Sequence, residues 1–127
     1  MASKGKKFKN DNIFSSLKYG FLGIKYAFTK EKNIIFGGIL FLLVIILGFV
    51  FKISQIEWII CIMSFGIVIA LEMVNTAIEN AVDIAMPNVH PMAKIAKDVS
   101  AGAVVFFFFI SVINGLIILV PKIIDLF

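Results

Sequence analysis

Arginine is missing from this chain: all twelve of its basic residues are lysines. A protein that reads nucleic-acid bases normally depends on arginine's planar fork, so that class is disfavoured. Cysteine occurs once, at Cys61, which excludes an internal disulfide and a cysteine-based metal site. Charged residues make up only 16% and hydrophobic residues 61%, with a mean hydropathy of +1.04. Such a composition excludes intrinsic disorder. It also excludes a water-soluble globule, because 127 residues enclose too little interior to hide that much apolar surface. The chain is one domain in length, and its solvent is lipid.

What charge there is lies unevenly. Residues 1–32 carry Lys4, Lys6, Lys7, Lys9, Lys18, Lys25, Lys30 and Lys32 against only Asp11 and Glu31. A basic block beside a membrane segment marks a cytoplasmic flank drawn to anionic headgroups. Residues 1–11 read as a flexible basic tail. From Asn12, the positions Ile13, Phe14, Leu17, Phe21, Ile24 and Phe28 fall on one helical stripe bordered by Lys18 and Lys25. This predicts an amphipathic helix over 12–30 lying on the membrane surface.

Three membrane helices are expected after it. Residues 34–51 contain no polar side chain; this segment starts far from the N-terminus and lacks a small-residue cleavage site, which argues against a signal peptide. Residues 52–57 read as a short turn, and a second helix as 58–86, opened by the interfacial anchor Trp58. Pro87, Asn88, His90 and Pro91 mark a break. A third helix follows over 91–120, with proline in its first turn and a stretch from Ala101 long enough to span. The expected fold class is all-α and integral to the membrane: a surface helix plus three spans. With the lysine-rich end inside, the 86–91 turn and the polar residues around it face the cytoplasm.

Those polar residues carry the chemistry. At about 100° per residue, Glu72, Glu79 and Asp83 fall within about 40° of one another on the second membrane helix, flanked by Asn75 and Thr76. Carboxylates stacked at a membrane boundary are costly and self-repelling, so they call for cations and for a function. The third helix supplies Lys94, Lys97 and Asp98 on one face. A short turn makes the two helices antiparallel, setting residues near 79–83 opposite 94–98, and small residues at Ala101, Gly102 and Ala103 permit close approach. Glu31 lies at a similar depth. Hard oxygen donors beside a single histidine suit Mg²⁺, and carboxylates, lysines and Mg²⁺ together suit phosphoryl transfer. Neither a Walker loop nor a protein-kinase motif set is present. The same carboxylates could serve a proton-coupled transporter, and the whole polar stripe could be glue between helices in a structural subunit. Lysines at the cytoplasmic turn favour the kinase. Asn114 reads as an interhelical hydrogen bond, and Cys61 and the Phe106–Phe109 run as packing.

Two blocks then become specific. Leu71–Asp83, LEMVNTAIENAVD, resembles the signature of the small prokaryotic diacylglycerol kinases, and His90–Val104, HPMAKIAKDVSAGAV, resembles that family's second block with its A-K-D triplet. The wording of both is most similar to the undecaprenol kinase branch. The resemblance implies a homotrimer in the bacterial cytoplasmic membrane, its N-terminus and active site cytoplasmic. It implies transfer of the γ-phosphate of MgATP to a lipid alcohol, undecaprenol, with diacylglycerol as the alternative, and no nucleic-acid partner. Glu72 corresponds to the catalytic carboxylate, and Glu31 and Glu79 to the metal pair. Tyr19, Glu31, Glu79, Asn88, Val89, His90, Lys97 and Asp98 correspond to ATP contacts, and Asn75 and Asp83 to positions that shape the site. Relatives often carry a basic residue near Asn12, where Lys9 or Lys18 stands nearest, and another just after Glu31-x-Asn33, where this chain has Ile34 and Ile35. Lipid selectivity is expected in grooves between the surface helix and the spans, lined by residues such as Phe21, Ile24 and Phe28.

Overall fold

The structure is a computed structural model that describes residues 12–127. The expected basic tail, Lys9 included, lies outside the described residues. Four α-helices follow in order: α1 (Ile13–Lys30), α2 (Lys32–Val50), α3 (Gln55–Ala85) and α4 (Pro91–Ile124). The last three are each long and apolar enough to cross a membrane.

Local signals set the ends of each helix. Asn12 caps α1, its side-chain oxygen accepting the Ser15 N–H at 2.8 Å. Between α1 and α2 only Glu31 is non-helical, with φ −101° and ψ 113°. Its N–H donates to Ala27 O and its C=O accepts from Ile35 N, so a single extended residue turns the chain from one helix into the next. Phe28 packs over Gly38, where an added Cβ would sit 3.0 Å from the ring.

The turn after α2 is shorter than the expected 52–57. Lys52, at φ 52°, takes the left-handed conformation that often ends a helix. Ser54 then caps α3 in a reciprocal box: Ser54 Oγ accepts the Glu57 N–H and Glu57 Oε1 accepts the Ser54 N–H. The helix therefore begins at Gln55 rather than 58. At the other side, His90 caps α4, its Nδ1 accepting the Met92 N–H at 3.1 Å, with Pro91 at the first helical position. α4 runs past the expected end at 120 and contains Pro121.

α3 and α4 form the main packing unit, with α2 against α3 and α1 against α2. Hydrogen bonds and ion pairs join α3 to α4 at intervals along their length. Near the α3 start, Lys122 Nζ meets Glu57 Oε2 at 3.0 Å, beside an apolar cluster of Ile53, Cys61 and Ile118. At mid-length, Ser111 Oγ donates toward Ser64 O, and Asn114 Nδ2 donates to Ser64 Oγ at 3.0 Å. Nearer the α3–α4 turn, Ser100 Oγ donates to Asn75 Oδ1. Gly102, expected to bring the helices together, faces open space, where a Cβ would meet nothing within 4 Å. Serine at 64 and 111 joins α3 to α4 at mid-length instead, while Gly48 on α2 lies under Trp58 of α3.

Candidate active site

The short α3–α4 turn places the last turns of α3 beside the first turns of α4. Lys97 Nζ reaches Asp83 Oδ1 at 2.7 Å, across that junction. Lys94 pairs along its own helix with Asp98 Oδ2 at 2.6 Å. These residues line a polar cavity of about 440 Å³. Glu79, Asn88, Val89 and His90 share its wall. Because His90 Nδ1 is occupied as the helix cap, the neutral ring carries its proton on Nε2, leaving a donor on that edge.

Glu72 lies two helical turns back along α3, about 10 Å from Glu79 at 1.5 Å per residue. It lines a different cavity, of about 250 Å³, between α2, α3 and α4. Asn33 is the other polar residue in that wall, and Phe36, Leu40, Phe65 and Val104 are among the apolar ones. A carboxylate thus stands at the mouth of an apolar groove open to the membrane helices. Glu79 and Glu31 both lie within Coulombic range of Glu72. Glu31 owes its place to the corner between α1 and α2, and its carboxylate makes no cap hydrogen bond to α2. Asn75, 8% exposed, lies one turn from both Glu72 and Glu79 and is held by Ser100. Since its Oδ1 accepts from Ser100, its amide donors point elsewhere.

The structure therefore assembles Glu79, Asp83, Asn88, Val89, His90, Lys97 and Asp98 around one cavity and Glu72 on its neighbour. Tyr19, 54% exposed on α1, lines neither of these cavities. Among the described residues, no three His, Cys, Asp or Glu side chains converge to hold a metal. The donor set still fits Mg²⁺, which takes one or two carboxylates and completes its shell with substrate phosphates and water.

Two participants escaped the sequence reading as site residues: Asn33 shares the groove wall with Glu72, and Ser100 holds Asn75. Lys94, expected on the same face as Lys97 and Asp98, lines the polar cavity with them. The signals were present: Ser100 is one turn beyond Lys97, and Asn33 follows Glu31 by two. The expected groove along the surface helix is only a shallow depression of about 150 Å³ that Phe21 and Ile24 line from α1 alone. Phe28 is turned onto Gly38 instead. The deep apolar grooves lie over α3, because α2 and α4 pack on its two flanks and leave the strip between them uncovered.

Comparison with known proteins matches the prokaryotic diacylglycerol kinase family over residues 18–119. The chain belongs to that family. It is 40% identical to the undecaprenol kinase of Bacillus subtilis (strain 168), over 96% of this chain and 99% of that protein. It is 32% identical to a diacylglycerol kinase of Synechocystis, over 91% of this chain and 66% of the relative. A diacylglycerol kinase of Helicobacter pylori (strain J99) is 34% identical over 79% and 77%. The protein is a membrane-embedded lipid kinase, and the two blocks recognised in the sequence fall inside the matched region.

Proposed function

We propose that this kinase transfers the γ-phosphate of MgATP to undecaprenol, with diacylglycerol a poorer acceptor. The observation that carries the proposal is the adjacency of two unlike cavities. One is polar and lined by lysines, a histidine and a turn; the other is apolar and headed by Glu72. A water-soluble donor and a lipid acceptor can each enter from its own phase and meet between Glu72 and Glu79. Extended likeness to an undecaprenol kinase supports the acceptor.

In this reading Glu72 accepts the hydroxyl proton as the lipid oxygen attacks the γ-phosphorus, the bond from that phosphorus to the β,γ-bridging oxygen breaks, and ADP leaves. Lys97, positioned by Asp83, balances charge on the phosphate oxygens; Lys94 and Asp98 flank it. Asn88, Val89 and His90 hold the nucleotide from the turn side. Asn75, locked by Ser100, fixes the amide between the two glutamates. Glu31 and Glu79 would hold Mg²⁺, which supplies neutralisation of the phosphate charge. The whole chain acts as a single membrane domain. α1 lies along the cytoplasmic surface of the bacterial cell membrane, with the α3–α4 turn on the same side, where ATP is found. Three copies assemble, since a carboxylate stripe must face protein or water rather than lipid.

The test is ATP consumption by purified protein in mixed micelles, with and without undecaprenol. Consumption that depends on the alcohol, with the phosphate recovered in the lipid phase, is expected. Phosphate that never reaches the lipid would overturn the reading.

A further inference from the structure

The groove headed by Glu72 does not end where its first cavity does. A second cavity, of about 420 Å³, continues it along α4 and is lined only by apolar residues and glycine. The two share Leu40, Phe65 and Phe108 in their walls, so they are chambers of one groove. Together they follow α4 from Val104 to Ile123. Nineteen steps of 1.5 Å make about 28 Å, close to the ~30 Å of a bilayer's hydrocarbon core. Polar side chains line the inner chamber at Asn33 and Glu72 and are absent from the outer one. Gly115 lies in the outer wall, and a Cβ built there would meet nothing within 4 Å.

We infer that the outer chamber seats the distal part of a long hydrocarbon chain on the acceptor alcohol, and that Gly115 is a specificity-determining residue because it leaves that chamber open. The inference rests on the lipid-kinase reading above and adds the acceptor's path. Continuity argues for this occupant. A chain whose hydroxyl lies at Glu72 meets one apolar channel leading away from it, and that channel runs the depth of the membrane. A headgroup or a nucleotide finds no partner in the outer chamber. Short alcohols fill the inner chamber only, and a polyprenol uses both.

The variant Gly115→Leu separates these cases. Leucine favours the helix over glycine and has open space to fill, so the protein folds. In mixed micelles, kcat/KM for undecaprenol should fall tenfold or more, the scale of one misfit group in an apolar pocket, while kcat/KM for farnesol stays unchanged. A second readout needs no turnover. Trp58 is the sole tryptophan and packs with Val44 and Leu119 against the cluster at the far end of the groove; both of those residues line the outer chamber. A prenol brominated at its chain end should quench Trp58 in the wild-type protein and lose that quenching in Gly115→Leu. Bromine beside the hydroxyl should quench little in either.

Equal losses for both alcohols, no loss for either, or chain-end quenching that survives the substitution would each overturn the inference. So would a fall in assembly size on light scattering for Gly115→Leu, which would assign the groove to a second copy of the chain. Failure of the wild-type protein to phosphorylate any lipid would instead strike the kinase reading, and the quenching would then decide the groove by itself.

Discussion

Glu72 and Glu79 stand on one stripe of α3 yet line different cavities, and that difference assigns them different work. Glu72 is proposed to meet the acceptor, and Glu72→Gln keeps the shape while removing the base. Turnover should fall about 10²–10⁴-fold, with thermal unfolding and MgATP binding unchanged; near-normal turnover would contradict the assignment. Glu31 and Glu79 are proposed to share Mg²⁺ with the phosphates. Glu31→Gln and Glu79→Gln should each shift the Mg²⁺ dependence of kcat/KM to higher concentration, and added Mg²⁺ should partly rescue them. Superimposable Mg²⁺ curves for wild type and variants would remove the metal from these two residues.

At the scale of elements, α2 and α3 meet closely where Gly48 lies under Trp58. A Cβ at residue 48 would fall 2.6 Å from a carbon of the indole ring, a distance no neighbour tolerates without moving. Gly48→Ala should therefore cost about 1–3 kcal/mol of overpacking, read as a lower unfolding midpoint in detergent. Adding Trp58→Ala should then cost less than it does alone, since the two residues share the contact. An unchanged midpoint for Gly48→Ala would show that the helices are not held as described. The elements were legible where a single run of residues decides them: the span of α2 from its unbroken apolar stretch, the start of α4 from Pro91. The start of α3 was hidden although Ser54 and Glu57 spell a capping box, because a count of apolar residues begins only at Trp58. α4 was expected to stop at 120, where its apolar stretch ends, but it continues through Pro121, whose missing N–H forfeits one helical hydrogen bond while the Asp125 N–H still closes the last turn onto Pro121 O. Asn114 declared itself as an interhelical hydrogen bond; its partner Ser64 did not, because pairing across helices depends on their mutual rotation. The grooves were illegible for the same reason, since they belong to the gap between α2 and α4 and not to any one stretch of chain.

Much of the surface of a single copy is open. Within the most apolar window of each span only 11–22% is buried, while Glu31, Glu79 and Asp98 remain partly or fully exposed around the site. Lipid covers apolar faces but not carboxylates. The proposed trimer should appear as a mass of three copies by light scattering in mild detergent, and a monomer of full activity would contradict it. The two functional blocks were legible in the order of their residues, whereas the acceptor's path needed all three membrane helices in place. A lipid alcohol with one long chain is the proposed acceptor beside Glu72. The deciding measurement is kcat/KM for undecaprenol and for diacylglycerol in the same micelles with the same MgATP. Apolar grooves discriminate by about 1–3 kcal/mol per misfit group, so a clear preference for undecaprenol with measurable turnover of diacylglycerol is the predicted result; a preference for diacylglycerol would contradict it.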